Sequence, residues 1–220
     1  MENALKRKAA RLILGGREAT IIRIALASRY AALFENLKNR VPDRFALWTW
    51  ISREVMRGDH FDYLEFGVFR GESIARVASL NRNPNVRLFG FDSFEGLPRD
   101  WIEGFPKGTF NVDGHMPAIV DDRVRFVKGW FDRSLPNFLF DYQPQRQLWL
   151  HMDADLYGST MTVLTLLNSH IRSGTIVVFD DFQDLLNDFK ALCDFQDMSG
   201  KRLDLLAATN DFRHAAFVCR

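Results

Sequence analysis

Two stretches of the chain, QLWLHMDADLYGST (residues 147–160) and GTIVVFDDF (174–182), each run from apolar residues into clustered carboxylates. Asp153 and Asp155 follow the first run, and Asp180 and Asp181 follow the second. Carboxylates at close range repel, and burial raises the cost of their charge. A bound divalent cation relieves both problems. An all-oxygen donor set favours Mg²⁺, Ca²⁺ or Mn²⁺ over zinc. If the two runs are neighbouring strands, Asp153, Asp180 and Asp181 converge and are expected to hold Mg²⁺ or Mn²⁺. A competing account has Asp155 capping a helix that starts near Ser159 and Asp181 capping the next one. Capping explains one carboxylate of each pair, not both.

Three further motifs describe an organic ligand. In YLEFGVFRGESI (63–74), Gly67 permits a sharp turn beside a ligand and Gly71 permits close packing of the following helix. Phe69 stands where a dinucleotide motif carries its middle glycine, and Glu65 adds negative charge. Both oppose a pyrophosphate, and Glu65 favours a cationic or amine-bearing ligand. In LFGFDSFEG (88–96), Asp92 ends a strand and is placed to accept two ribose hydroxyls, although Asp is also common in turns and caps. In RFVKGWFDRSLP (125–136), Gly129 and Trp130 follow a third strand. The indole is placed either to stack on adenine or to join the core. Adenosine, a ribose diol and an amino-acid tail without a pyrophosphate are the parts of S-adenosylmethionine.

These motifs, with FGFDSFEGLP, VKGWFDRSLP, LHMDADLYGST and GTIVVFDDF in the same order between about residues 61 and 182, resemble the macrocin O-methyltransferases. That family comprises metal-dependent sugar O-methyltransferases of antibiotic biosynthesis. The resemblance implies a class I S-adenosylmethionine-dependent methyltransferase fold and Mg²⁺ on Asp153, Asp180 and Asp181. It places the methyl donor at Glu65, Gly67, Asp92 and Trp130, and the expected donor site also takes in Gly71, Ser73, Ser93, Gly129 and Asp153. The acceptor is then a small-molecule hydroxyl, on a sugar or a glycosylated natural product. Asp153 and His115 are the candidates to take its proton. His151, two residues before Asp153, reads instead as a satisfied core histidine.

The elements that must position these residues alternate from residue 61 onward. FDYLEFG, VRLFGFD, RVRFVKG, QLWLHMD and GTIVVFD read as short apolar strands, with helical spacing in GESIARVASL, STMTVLTLLNSHI and DLLNDFKALCDFQDM. Such alternation predicts a doubly wound, mostly parallel α/β sheet, here of seven strands. LDLLAAT and HAAFVCR are separated only by NDFR, too few residues for a parallel crossover, so the last strand is expected to be antiparallel. Residues 92–121 show no period, and a loop of that length is expected to be functional, for instance as a lid. Residues 1–60 read as an N-terminal helical extension without a strand pattern, followed by the methyltransferase domain over 61–220. Apolar residues around IIRIALASRYAALF would permit pairing of two copies.

The bulk numbers exclude several classes. A net charge of +1 removes a global argument for nucleic acid. Residues 1–60 hold 12 Lys and Arg against 6 Asp and Glu, which reads as solvated helix faces. No apolar run approaches the ~20 residues of a membrane helix. The only apolar stretch near the start, LILG, is too short for a secretory signal. Cys193 and Cys219 have neither metal nor redox spacing and suit buried thiols of a cytoplasmic protein. Two rivals stay open. The D-A-D triplet also suits an Mn²⁺-dependent glycosyltransferase, although no basic cluster stands near it for a diphosphate. A non-catalytic relative that keeps the fold is the other.

Overall fold

The computed structural model describes residues 26–35, 37–144 and 147–220. The helical reading of residues 1–25 lies outside them. Residues 26–34 form helix α1. Within it Tyr30 and Phe34, one turn apart, meet edge to face with centroids 4.9 Å apart. A separate compact unit spans Leu37–Arg220.

That unit is built on one sheet. Its strands are β1 (Arg40–Val41), β2 (Phe61–Phe66), β3 (Arg87–Asp92), β4 (Val124–Lys128), β5 (Gln147–Met152), β6 (Ile176–Phe179), β7 (Leu203–Thr209) and β8 (Ala215–Cys219). Their order is β1-β7-β8-β6-β5-β2-β3-β4. Every neighbouring pair is parallel except those of β8, which runs antiparallel to both β6 and β7. The parallel sheet with one reversed last strand is therefore as the sequence predicts. The strand count is corrected from seven to eight. The added strand, β1, lies in a segment that reads only as helix. Two residues are too short to display alternation, and β7 supplies their pairing.

β2 and β6 are buried at every residue, as strands covered on both faces must be. Asp62 is tolerated in β2 because Arg87 grips it at 2.7 and 2.6 Å and the Tyr142 hydroxyl donates to it at 2.7 Å.

Helix α2 (Arg44–Trp50) is capped by Asp43, whose side chain accepts from the Ala46 amide. It continues as a π-helical turn, Ile51–Met56, and stops at the left-handed Arg57. Leu47, Trp48, Ile51 and Met56 share one buried cluster with Tyr63, Trp149 and Val178. Residues 44–56 thus belong to the core of the sheet. The remaining helices are α3 (Glu72–Leu80), α4 (Phe131–Asp141), α5 (Tyr157–Leu166) and α6 (Asp188–Ser199). Helix α4 is absent from the sequence reading because Pro136 sits inside it and reads as a stop. Its packing overrides that signal: Phe138 meets Phe89 at 4.9 Å and Phe91 at 5.0 Å.

Residues 93–121, between β3 and β4, carry their own hydrogen bonds. The Leu97 amide donates to Thr109 at 2.8 Å, and the Gly108 amide returns one to Leu97 at 2.9 Å. Gly96 allows this crossing, since a Cβ there would lie 2.4 Å from the Thr109 carbonyl oxygen.

Candidate active site

Main-chain hydrogen bonds continue past the strand ends and line up their tips. Gly129 donates to Asp92, Gly67 to Phe91, Asp153 to Phe66 and Asp180 to Met152, each at 2.9 Å. The ends of β4, β3, β2, β5 and β6 therefore present their motif residues along one carboxyl edge, where open α/β sheets bind ligands.

That edge is the floor of a cleft of about 1220 Å³. Gly67, Asp92, Ser93, Gly129, Trp130 and Asp153 line it, as do Asp155, Asp180 and Asp181. The 93–121 loop forms the facing wall with Trp101, Ile102, Phe105 and Phe110. These rings make a chain, Trp101 to Phe105 at 5.3 Å, Phe105 to Phe110 at 6.0 Å and Phe110 to Phe69 at 5.5 Å. Trp101 Nε1 donates to Asp184 Oδ2 at 3.1 Å and ties the loop to the segment after β6.

Asp92 does two things. It lines the cleft, and its carboxylate organises the neighbouring turns: Oδ2 accepts from the Val68 and Phe69 amides at 2.8 Å, and Oδ1 from the Phe94 amide at 2.7 Å. The two amides of the turn after β2 are thus taken by a carboxylate and not free for a phosphate. This agrees with the argument from Phe69 against a pyrophosphate.

Side-chain atoms of Asp153, Asp155 and Asp181 lie within 4.8 Å of one another, and so do those of His151, Asp153 and Asp180. Asp153 is common to both sets. Burial and Asp180 hold the Asp153 carboxyl well above the usual range. Burial and Asp181 push Asp155 up to about 8. Burial and Asp180 raise Asp181, even though Arg213 Nε reaches it at 3.0 Å. Asp180 behaves in the opposite way. Burial would raise it, but hydrogen bonds from His151 and His214 outweigh burial and hold it well below the usual range. Four carboxylates therefore crowd this corner, with Arg213 on Asp181 and His151 and His214 both on Asp180. A hard divalent cation among the carboxylate oxygens fits that donor set.

Four expected residues are not brought to the cleft. Glu65 is fully buried, with its carboxylate against Tyr63 and His151. Gly71 opens α3 with φ +77 and lies under Pro117 and Ile119. Ser73 is buried in the first turn of α3. His115 is exposed, its Nδ1 3.0 Å from the Val112 carbonyl oxygen. Three residues were missed. Asp155 reads as a cap in the sequence, yet α5 has no side-chain cap, and Asp155 joins the acidic cluster in a left-handed conformation of φ 57. Arg213 and His214 sit in the β7–β8 turn. They reach Asp181 and Asp180 because β8 lies beside β6, which no local pattern reveals.

The family described as Macrocin-O-methyltransferase (TylF) matches residues 109–209. The chain is similar to the macrocin O-methyltransferases. Trp130, Asp153, Asp180 and Asp181 fall within the matched span, while Gly67 and Asp92 precede it. The mycinamicin III 3''-O-methyltransferase of Micromonospora griseorubida is 29% identical over 55% of this chain and 55% of its own length. The demethyldecarbamoylnovobiocin O-methyltransferase of Streptomyces niveus is 29% identical over 62% and 60%. The chain thus spans somewhat more than half the length of these curated relatives. Among solved structures, the calicheamicin methyltransferase CalS11 superposes with a TM-score of 0.63 at 20% identity, covering 89% of this chain and 91% of its own. The fold is the Rossmann-like class I methyltransferase fold.

Proposed function

We propose that this protein is an S-adenosylmethionine-dependent, Mg²⁺-dependent O-methyltransferase acting on a hydroxyl of a small molecule, a sugar or a glycosylated natural product. The observation that carries the reading is the convergence of Gly67, Asp153, Asp180 and Asp181 on one cleft that also holds Asp92 and Trp130. The methyltransferase relatives support the reaction class, and two of them are named for mycinamicin III and demethyldecarbamoylnovobiocin.

When bound, the donor supplies an activated methyl group and the cation makes a coordinated hydroxyl more acidic. The rest falls to this chain. Asp92 offers the remaining acceptor site on Oδ1 to a ribose hydroxyl, and the half-buried Trp130 offers an indole face to adenine. Asp153, common to both acidic sets, would hold the cation together with Asp180 and Asp181. Asp153, which belongs to both acidic sets and lines the cleft, is the group placed to take the acceptor's proton. The aromatic wall excludes water and orients the acceptor. His115, exposed and away from the lining residues, has no part in this scheme.

Calorimetry separates this reading from the glycosyltransferase alternative. S-adenosylhomocysteine is expected to bind and UDP is not, since the Val68 and Phe69 amides are already committed to Asp92. Methyl transfer to a glycoside acceptor is expected to disappear with a chelator and return with Mg²⁺. Full transfer in chelator would remove the cation, and tight UDP binding without S-adenosylhomocysteine binding would overturn the reaction class.

A further inference from the structure

Tyr63, Glu65 and His151 form a cluster that does not reach the cleft. All three are 0% exposed. The parallel register sets Glu65 directly opposite His151, and Tyr63 lies two residues earlier on the same face of β2. The Tyr63 hydroxyl contacts both Glu65 Oε2 and, at 2.8 Å, His151 Nδ1. The same nitrogen stands 3.5 Å from Glu65 Oε2. Trp48 closes the ring's flank, with centroids 5.6 Å apart at 74°. Each of these contacts fixes the imidazole plane. The ring's other nitrogen, Nε2, reaches toward β6 and lies 3.3 Å from Asp180 Oδ1.

A buried carboxylate, phenol and imidazole are expensive to place in a core where apolar side chains would fill the same volume. Glu65 even keeps Oε1 without a hydrogen-bond partner. The arrangement is directional: a carboxylate orients an imidazole, and the imidazole addresses a second carboxylate at the edge of the cleft. We propose that His151 is a positioning residue for Asp180, clamped by Glu65 and Tyr63 so that Nε2–H grips Asp180 Oδ1 and the other carboxylate oxygen faces the cleft for a divalent cation. The proposal rests on the cation site proposed above. Partners of this kind orient metal ligands, and losing one costs about 10–100-fold in metal affinity. His214 Nε2 lies 3.4 Å from the same Oδ1, so loss of His151 weakens the site and does not abolish it.

The test titrates the full chain with Mn²⁺ alone, by calorimetry and by the electron paramagnetic resonance signal of bound Mn²⁺. His151→Leu is expected to weaken binding about tenfold or more. His151→Gln, whose amide N–H reaches the place of Nε2, is expected to restore most of it. Glu65→Gln, which acts only through His151, is expected to weaken Mn²⁺ binding about threefold and to add little on top of His151→Leu. S-adenosylhomocysteine affinity is expected to stay within about twofold throughout, a control that a general structural defect would not pass. If His151→Leu does not fold, Glu65→Gln carries the test. Unchanged Mn²⁺ affinity in folded His151→Leu and Glu65→Gln proteins overturns the positioning role. Absence of Mn²⁺ binding by the wild-type chain overturns the cation site itself, which is a distinguishable result.

Discussion

Gly67 and Asp153 pass so closely that a Cβ on Gly67 would lie 1.7 Å from the Asp153 carbonyl oxygen. The contact exists because Asp153 donates its amide to Phe66, one residue before Gly67, and Gly67 turns away with φ +96. One glycine therefore joins the end of β2 to the acidic side of the cleft. Gly67→Ala adds both a clash with backbone and an unfavourable φ. It is expected to cost about 3 kcal/mol or more, within the range of severe single substitutions, measured by urea unfolding. Wild-type stability in that variant would show that the two strand tips are not in contact.

Asp92 satisfies the Val68, Phe69 and Phe94 amides together. Asp92→Ala leaves those donors unpaired at a cost of about 1 kcal/mol or more each where water cannot reach them. Both unfolding free energy and S-adenosylhomocysteine affinity are expected to fall, the latter at least tenfold. A loss of affinity without a loss of stability would mean that the carboxylate serves the ligand alone.

Asp188, at the start of α6, is buried, accepts a hydrogen bond from Thr160 at 2.9 Å and keeps Oδ2 unpartnered. Burial pushes its carboxyl up to about 7. Because this folded value exceeds the ordinary one near 3.8, the folded chain binds more protons between the two. Stability from this group is fully present below about pH 4 and declines as pH rises toward 7. In chelator, Asp188→Asn is expected to flatten that slope and to raise Tm at pH 8. A slope unchanged by the substitution would assign it to other groups.

Trp101→Phe keeps an aromatic ring beside Phe105 and removes the 3.1 Å bond to Asp184. The loop is then released from the segment after β6. The KM for the acceptor is expected to rise severalfold, with S-adenosylhomocysteine affinity held within about twofold. An equal loss of both would place Trp101 in the donor site.

The chain determines a good deal through local signals. Apolar runs of four to seven residues mark the parallel strands, and NDFR is too short for a crossover, which forces the reversed β8. Glycines and acids at strand ends mark Gly67, Asp92, Asp153, Asp180 and Asp181, because strand order in such folds brings those ends to one edge. Side-chain direction at the ends is not a local property. Glu65 and Asp153 read alike as acids near a ligand, yet the pleat and register of β2 against β5 turn Glu65 to a buried histidine and leave Asp153 in the cleft. Asp155, Arg213 and His214 enter the site through a left-handed turn and through the pairing of β8 with β6. Those contacts join residues far apart in the chain, and only the folded sheet sets their distances.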